Sequence, residues 1–352
     1  MPNEARTSNE SIDWNCDPEA ARKPELSVIL CTYNPRPDLI ARALRAVSRQ
    51  TLPTRDYELI VVDNNSSPPL DHARLERLAG RPVRVVTELR QGLTFARVGG
   101  IDAAQADVIC FIDDDNEIAE TYLEHVLEIA RAEPALGVFG GVADGVLERK
   151  PGRAMRGFLP FLGVRDEGRD PLTGSGEGWG PWEPIGAGLC VRRDIAEGYV
   201  AFVENTDSAG GLGRRGNALL SGEDSLISRI AHRKGYLCGY RPQLYLRHHI
   251  TAPRLTYRYM ARLMTGHGRS YVLLEAICGR STDEVSPAEA RRKLRMNFLY
   301  RAKSEGLLKA AGMAFWDLGF FRQSRETATY EAGAEPLAMI DAAPNTFEKS
   351  GA

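Results

Sequence analysis

Three short apolar runs, each ending in a cluster of polar residues, limit what this chain can fold into: SVILCTYN, ELIVVDNN and DVICFIDDD. They are rich in β-branched residues and lack the apolar–polar alternation of a half-exposed strand. Each therefore reads as a strand buried on both faces, as in a parallel sheet covered by helices. With VRVVTEL and LGVFGGVA added, strands are expected at Leu26–Asn34, Tyr57–Asn65, Val83–Leu89, Asp107–Asp115 and Leu136–Ala143. Between them lie PDLIARALRAVSRQ, a stretch around ARLERLA, LTFARVGGIDAAQA and AETYLEHVLEIARAE, whose apolar residues recur three or four apart, the period of amphipathic helices. Alternating βα units of this kind define the α/β class.

Past Gly145 the pattern weakens. Glycine and proline run through 149–184, which suits a long mobile loop. GAGLCVRRD then reads as a strand entering a turn, GEDSLISRIAHRKGY as a helix, YLCGYRP and LYLRHHI as two further strands, and Leu255 to Arg322 as helices. The expected organisation is a disordered segment over 1–24 and a sheet domain over 25–254, with halves at 25–145 and 146–254. A helical extension over 255–322 and a disordered tail over 323–352 complete it.

Lysine plus arginine number 45 and aspartate plus glutamate 47, a net charge of −2, which gives no electrostatic case for a nucleic-acid binder. Any acidic ligand has to be held locally. The six cysteines show neither a CxxC pair nor zinc spacing and read as reduced thiols, several filling apolar strands. The polar N-terminus and the lack of an apolar run of ~18 residues lead to the expectation of a cytoplasmic protein. LLKAAGMAFWDLGFF, Leu307 to Phe321, is either a helix docked on the sheet domain or a peripheral contact with the inner face of a membrane.

In open parallel sheets, ligands bind beyond the carboxyl ends of the strands. Here those ends carry Thr32, Tyr33 and Asn34; Asp63, Asn64 and Asn65; and Asp113, Asp114 and Asp115. A dinucleotide fold needs G-x-G-x-x-G directly after the first strand, where this chain has CTYNPRP. The formal match GLGRRG at 211–216 has no strand before it and reads as a flexible loop. No GxxxxGK[ST] occurs, so a P-loop is excluded as well. Three adjacent aspartates repel one another, and a divalent cation is the simplest partner. Mg²⁺ or Mn²⁺ is usually held by one or two carboxylates completed by substrate phosphates. The other reading of the triplet is a turn that caps the next helix. An EF-hand is excluded because its sixth loop position is Ile118.

Glu223 and Asp224 open a helix three residues after Ser221, so Asp224 is either part of a capping box or a general base held on a rigid helix end. Of His248 and His249, only one can face a given side of a strand. Either is a packed side chain or an added metal or phosphate contact. Trp179 and Trp182 either stack on a sugar ring or pack within their own loop.

Taken in order, SVILCTYN, ELIVVDNNS, QGLTFARVGGIDAA, DVICFIDDDNE, GAGLCVRRD, LGRRGNALLSGEDSLISRIAHRKGY, and HHITAPRLTYRYM with TGHGRSY resemble a family-2 glycosyltransferase of the GT-A fold, over roughly Glu25 to Tyr271. The resemblance implies a GT-A Rossmann-like, mostly parallel sheet with a helical C-terminal extension. It further implies inverting transfer from a UDP-, GDP- or dTDP-linked sugar to a hydroxyl on a glycan or lipid-linked acceptor. Thr32, Tyr33, Asn34 and Asp63 would line the nucleoside pocket, with Tyr33 stacking on the base, and Arg97 would lie near the nucleotide. Asp113 and Asp115 would be the D-x-D metal carboxylates, with Asp114 near the ribose. Asp224 would be the base and His248 a metal or diphosphate contact, preferred over His249 because the family's H-x-[IV] then falls on His248–Ile250. Gly188, Glu223, Trp179 and Trp182 fall on the acceptor or sugar side. The family's usual A-R-N-x-G reads Ala96, Arg97, Val98, Gly99, Gly100 here. The alternatives are a non-catalytic nucleotide-sugar-binding protein and a sugar nucleotidyltransferase, although the basic glycine-rich segment the latter needs is missing from CTYNPRPD.

Overall fold

The computed structural model describes residues 22–327 except 154, 177, 207–212, 215–218 and 281–284. Cys16, most of the expected N-terminal segment, the tail beyond 327 and both ends of GLGRRG lie outside the described residues.

The parallel half of the sheet follows the expected βα units. Strands β1 (Leu26–Thr32), β2 (Tyr57–Asp63), β3 (Arg84–Thr87) and β4 (Val108–Asp113) lie in the order β3-β2-β1-β4, and all three pairings are parallel. Every residue of β1 is buried, and its side chains alternate between two cores. Leu26, Val28 and Leu30 join helices α1 (Pro37–Ser48), α2 (His72–Ala79) and α4 (Tyr122–Ala132) on one face. Ile29 and Cys31 join α3 (Leu93–Ala103), α5 (Arg193–Asn205) and α6 (Glu223–Arg233) on the other. Burial on both faces is why these strands read as continuous apolar runs. The five described cysteines are free and buried, four of them within strands.

Beyond β4 the sheet becomes mixed. β8 (Cys190–Arg192) runs antiparallel to both β4 and β6 (Leu136–Leu147), while β6 pairs in parallel with β9 (Leu237–Ile250). The short β5 (Asn116–Ile118) and β7 (Leu172–Gly174) pair antiparallel with β9. The two strands expected at YLCGYRP and LYLRHHI are one strand. Its register against β6 slips between Gly140 and Val142, opposite Arg241–Leu244. Pro242 there has no N–H to give the ladder, and the slip takes it out of the pairing.

The segment 149–184 is more structured than its composition implies. A 3-10 turn, Arg156–Leu162, buries Phe158 and Leu162 against Ile250, Leu255, Met260 and Leu263. The C-terminal helices are α7 (Tyr257–Ile277), α8 (Pro287–Ser304) and α9 (Leu307–Thr327). The last runs five residues past Arg322, where the tail was expected to begin. α7 and α9 pack backbone to backbone: a Cβ on Gly268 would meet the Trp316 carbonyl at 2.0 Å, and one on Gly319 the Thr265 carbonyl at 2.1 Å.

Candidate active site

The carboxyl ends of the parallel strands open into a cleft of about 400 Å³. It gathers Thr32 and Tyr33 at the end of β1, Asn64 after β2, Arg97 from α3, the triplet Asp113–Asp115 at the end of β4, Glu223 and Asp224 at the start of α6, and His248 near the end of β9. These residues span more than two hundred positions of sequence, and the sheet topology brings them together.

The aspartate triplet sits on a tight turn between β4 and β5. The Asn116 side chain accepts the Asp113 N–H at 3.0 Å and donates to Asp115 Oδ1 at 3.0 Å. Pairing of β5 with β9 sets Asn116 opposite His248, which leaves His248 Nε2 3.4 Å from Asp115 Oδ2. His248 Nδ1 lies 3.1 Å from the Gly163 carbonyl oxygen. That oxygen can only accept, so Nδ1 carries a proton, and Nε2 is the ring nitrogen turned to Asp115. His249 faces the other side, its Nε2 2.9 Å from Glu117.

Burial of three carboxyl groups on one turn shifts their ionisation. Burial, with the adjacent Asp115, raises Asp113 above the usual carboxylate range. The same two causes push Asp114 up to about 7, against a hydrogen bond from Thr32 Oγ1. Burial also acts on Asp115, but His248 and Arg254 outweigh it and hold this carboxyl well below its ordinary value. Arg254 NH1 donates to Asp115 Oδ2 at 2.8 Å, and its buried Nε has no hydrogen-bond partner among the described residues.

Asp224 is not a helix cap. The N-cap of α6 is Gly222, with no side-chain cap bond, and the capping box with Ser221 does not form. The Asp224 carboxylate accepts the Gly186 N–H at 3.1 Å and the Ser225 N–H at 2.9 Å, and it borders the cleft half-buried. Two backbone donors thus aim this carboxylate. Glu223 is buried and accepts from the Tyr199 hydroxyl at 2.9 Å. Burial disfavours the charge on Arg97, and Glu223 does most to restore it. Glu223 is therefore a counter-charge under the cleft wall, with Arg97 lying over the Phe111 ring at 5.2 Å.

Five expected site residues stand outside the cleft lining. Asn34 and Asp63 hold the turn after β2: Asn34 Oδ1 accepts the Ser67 N–H at 2.9 Å, while Asp63 accepts those of Ser66 at 2.9 Å and Leu70 at 3.3 Å. Trp182 packs over Gly174 and Gly180 on the second core, and Trp179 is exposed. Gly188 has φ +73, and its carbonyl accepts the Tyr122 hydroxyl at 2.8 Å. A Cβ there would lie 2.3 Å from the Tyr122 oxygen, so Gly188 is a packing position. Gly188→Ala is expected to cost about 2 kcal/mol or more from overpacking and a left-handed backbone, read as a lower melting temperature. An unchanged melt would refute that packing.

Residues 27–197 match the family model described as Glycosyl transferase family 2. The chain carries a family-2 glycosyltransferase domain. Among relatives, an inactive polypeptide N-acetylgalactosaminyltransferase-like protein 5 of Macaca fascicularis is 29% identical over 149 residues, 40% of this chain and 33% of that one. The succinoglycan biosynthesis protein ExoM of Rhizobium meliloti is 30% identical over 122 residues, 33% of this chain and 38% of that one. A GalNAc(5)-diNAcBac-PP-undecaprenol beta-1,3-glucosyltransferase of Campylobacter jejuni is 31% identical over 121 residues, with the same coverages. The chain thus spans little more than a third of the length of these relatives. The crystal structure of S. aureus TarS 1-349 in complex with UDP aligns at TM-score 0.42 and 15% identity, covering 86% of this chain and 91% of that one.

The family-2 match ends before α6, so Asp224 and His248 are placed by the structure and not by the match. Sequence reasoning about this glycosyltransferase domain missed Arg254 and His267, both of which line the cleft. Arg254 stands six residues after His248, on the 3-10 turn Ala252–Leu255 that folds it back over Asp115. His267 lies in TGHGRSY on α7, its ring edge-on to Phe161 at 5.5 Å. The arginine after the proline in HHITAPR was the available signal for Arg254.

Proposed function

We propose that the cleft binds a nucleotide sugar and transfers its sugar, with inversion, to an acceptor hydroxyl, with Asp224 as the base. The observation that carries this reading is the convergence of two separate acidic groups on one cleft: Asp113–Asp115 on the β4–β5 turn and Asp224 on a helix end. Tyr33, half exposed at the cleft edge, offers a flat ring to a nucleobase. The Thr32–Asp114 pair beside it suits a ribose. The Nε of Arg254, without a partner among the described residues, and the buried charge of Arg97 suit a diphosphate.

The donor set fits a divalent cation. Five carboxyl groups line the cleft against three guanidiniums, Arg97, Arg214 and Arg254, so an entering diphosphate needs added positive charge. Among the described residues no three such side chains close into a metal cage. Mg²⁺ and Mn²⁺ sites do not require one, since substrate phosphates complete the shell. Asp115 and His248 Nε2 would hold the ion, with Asp113 behind them. When bound, the ion would neutralise the departing diphosphate. Asp224 takes the proton of the acceptor hydroxyl as its oxygen attacks the anomeric carbon from the side opposite that leaving group. One displacement on those lines inverts the centre.

Relatives named for succinoglycan biosynthesis and for an undecaprenol-linked glycan favour a glycan or lipid-linked acceptor in glycoconjugate biosynthesis. Screening UDP-, GDP- and dTDP-sugars with released nucleotide as readout should find one donor class that turns over with Mn²⁺ or Mg²⁺, stops with EDTA and recovers on re-addition. Nucleotide binding without any turnover would instead support the non-catalytic reading, and full activity after exhaustive chelation would remove the metal.

A further inference from the structure

Trp316, the side chain in Leu307–Phe321 best suited to a membrane interface, is turned inward, stacked on Phe320 with ring centroids 5.5 Å apart and tilted against Tyr271 at 5.7 Å. α9 is thus docked on α7. The helix before it is the unusual one. α8 has no buried residue along its length, and carries six basic residues against one acidic, in a chain whose net charge is −2.

Its charges divide into two sets. Arg301 is spent on the buried Asp317 of α9 at 2.6 Å, and Lys293 pairs with Glu289 at 3.1 Å. Arg291, Arg292, Arg295 and Lys303 are exposed and have no ion-pair partner among the described residues. Interleaved with them are Met296, Leu299 and Tyr300, exposed by 61%, 56% and 73%. Met296, Leu299, Tyr300 and Lys303 are three or four apart and share one helix face with Arg292 and Arg295. That face points away from the side holding Asn297 and Arg301 on Asp317. Directly after Gly306 the chain exposes Leu307 and Leu308 as well.

We propose that this face of α8, extended by Leu307 and Leu308, docks the protein on an anionic lipid bilayer. Large apolar side chains left in water amid unpaired cations match a surface that offers headgroup charge outside and hydrocarbon beneath. A protein partner with an acidic surface would meet the cations but leave the methionine, leucines and tyrosine without an apolar phase. No described helix is long and apolar enough to cross a membrane, so the contact is peripheral. α9 ties α8 to α7, and α7 carries His267 into the cleft, so docking would hold the cleft at a fixed height above the lipid. The proposal goes beyond the transferase reading and does not depend on it.

The test is flotation of the full chain with vesicles of phosphatidylcholine alone or with 30% phosphatidylglycerol, at low and high salt. The protein is expected to float with the anionic vesicles at low salt and to remain below with the neutral ones. Each exposed cation near such a surface is worth ~5-fold in partitioning, so the quadruple change of Arg291, Arg292, Arg295 and Lys303 to Gln should reduce it by ~600-fold. Leu299→Ser with Tyr300→Ser should also lower it, with the melting temperature of both variants as the folding control. Wild-type protein left at the bottom with anionic vesicles at low salt would overturn the proposal, as would well-folded variants that float equally. A stable dimer in solution that the Leu299 and Tyr300 changes dissolve would assign the face to a second copy of this chain and overturn it too.

Discussion

Asp224→Asn is expected to leave nucleotide affinity within about 2-fold and to lower sugar transfer by ~10²-fold or more, because an amide retains the shape but cannot accept the acceptor's proton. The substitution sets an NH₂ against either the Gly186 or the Ser225 N–H, and the lost hydrogen bond costs ~1 kcal/mol of stability. Steady-state transfer, paired with calorimetric nucleotide binding, separates the chemical effect from the structural one. Were Asp224 only a helix cap, asparagine would cap as well and transfer would be unchanged. Since Gly222 holds the cap position without any side-chain bond, the large loss is the expected result. Unimpaired transfer in the variant would remove Asp224 from the chemistry.

Asp115→Ala should weaken binding of the donor nucleotide, in the presence of Mn²⁺, by ~10²-fold, with transfer falling at least as far. The carboxylate joins the β4–β5 turn to both His248 and Arg254. Without it the ion loses its principal donor, and the diphosphate meets Asp113 and Asp114 uncompensated. Paramagnetic resonance of Mn²⁺ gives a readout that does not pass through turnover: the variant should leave the ion free at concentrations where the parent protein binds it with nucleotide. Equal Mn²⁺ uptake by both proteins would place the ion elsewhere. Asp114→Ala supplies a contrast, because its carboxyl is paired with Thr32 and is the one pushed up to about 7. It should weaken nucleotide binding while leaving the metal donors in place.

How far these residues could be read from the sequence depends on how local their cause is. β1, β2 and β4 were legible because burial on both faces leaves an unbroken apolar run, and their polar ends mark the mouth of the sheet. The single strand β9 was not, since Pro242 imitates a strand end and the register slip that absorbs it depends on its partner β6. The 3-10 turn at Arg156–Leu162 was hidden among glycines and prolines, its two buried residues gaining partners from β9, the turn Ala252–Leu255, α7 and α9, all far along the chain. At the site, the resemblance to H-x-[IV] favoured His248; neighbours on a strand face opposite sides, and of the two it is His248 that lines the cleft while His249 turns to Glu117. Gly188 and Trp182 sit near the cleft in sequence but turn to Tyr122 and to the second core. Arg254 ends the run HHITAPR, yet its place over a carboxylate 139 positions away arises from a turn that folds it back.

The most direct measurement is a crystal structure of the protein grown with Mn²⁺ and the diphosphate nucleotide of its best donor. The base should stack on Tyr33, the metal should be bound by Asp115 and His248, and the diphosphate should lie between that metal and a displaced Arg254, with open space before Asp224 for an acceptor hydroxyl. Nucleotide bound outside this cleft, or bound within it while Asp115 remains paired to Arg254 and no metal is present, would contradict the account.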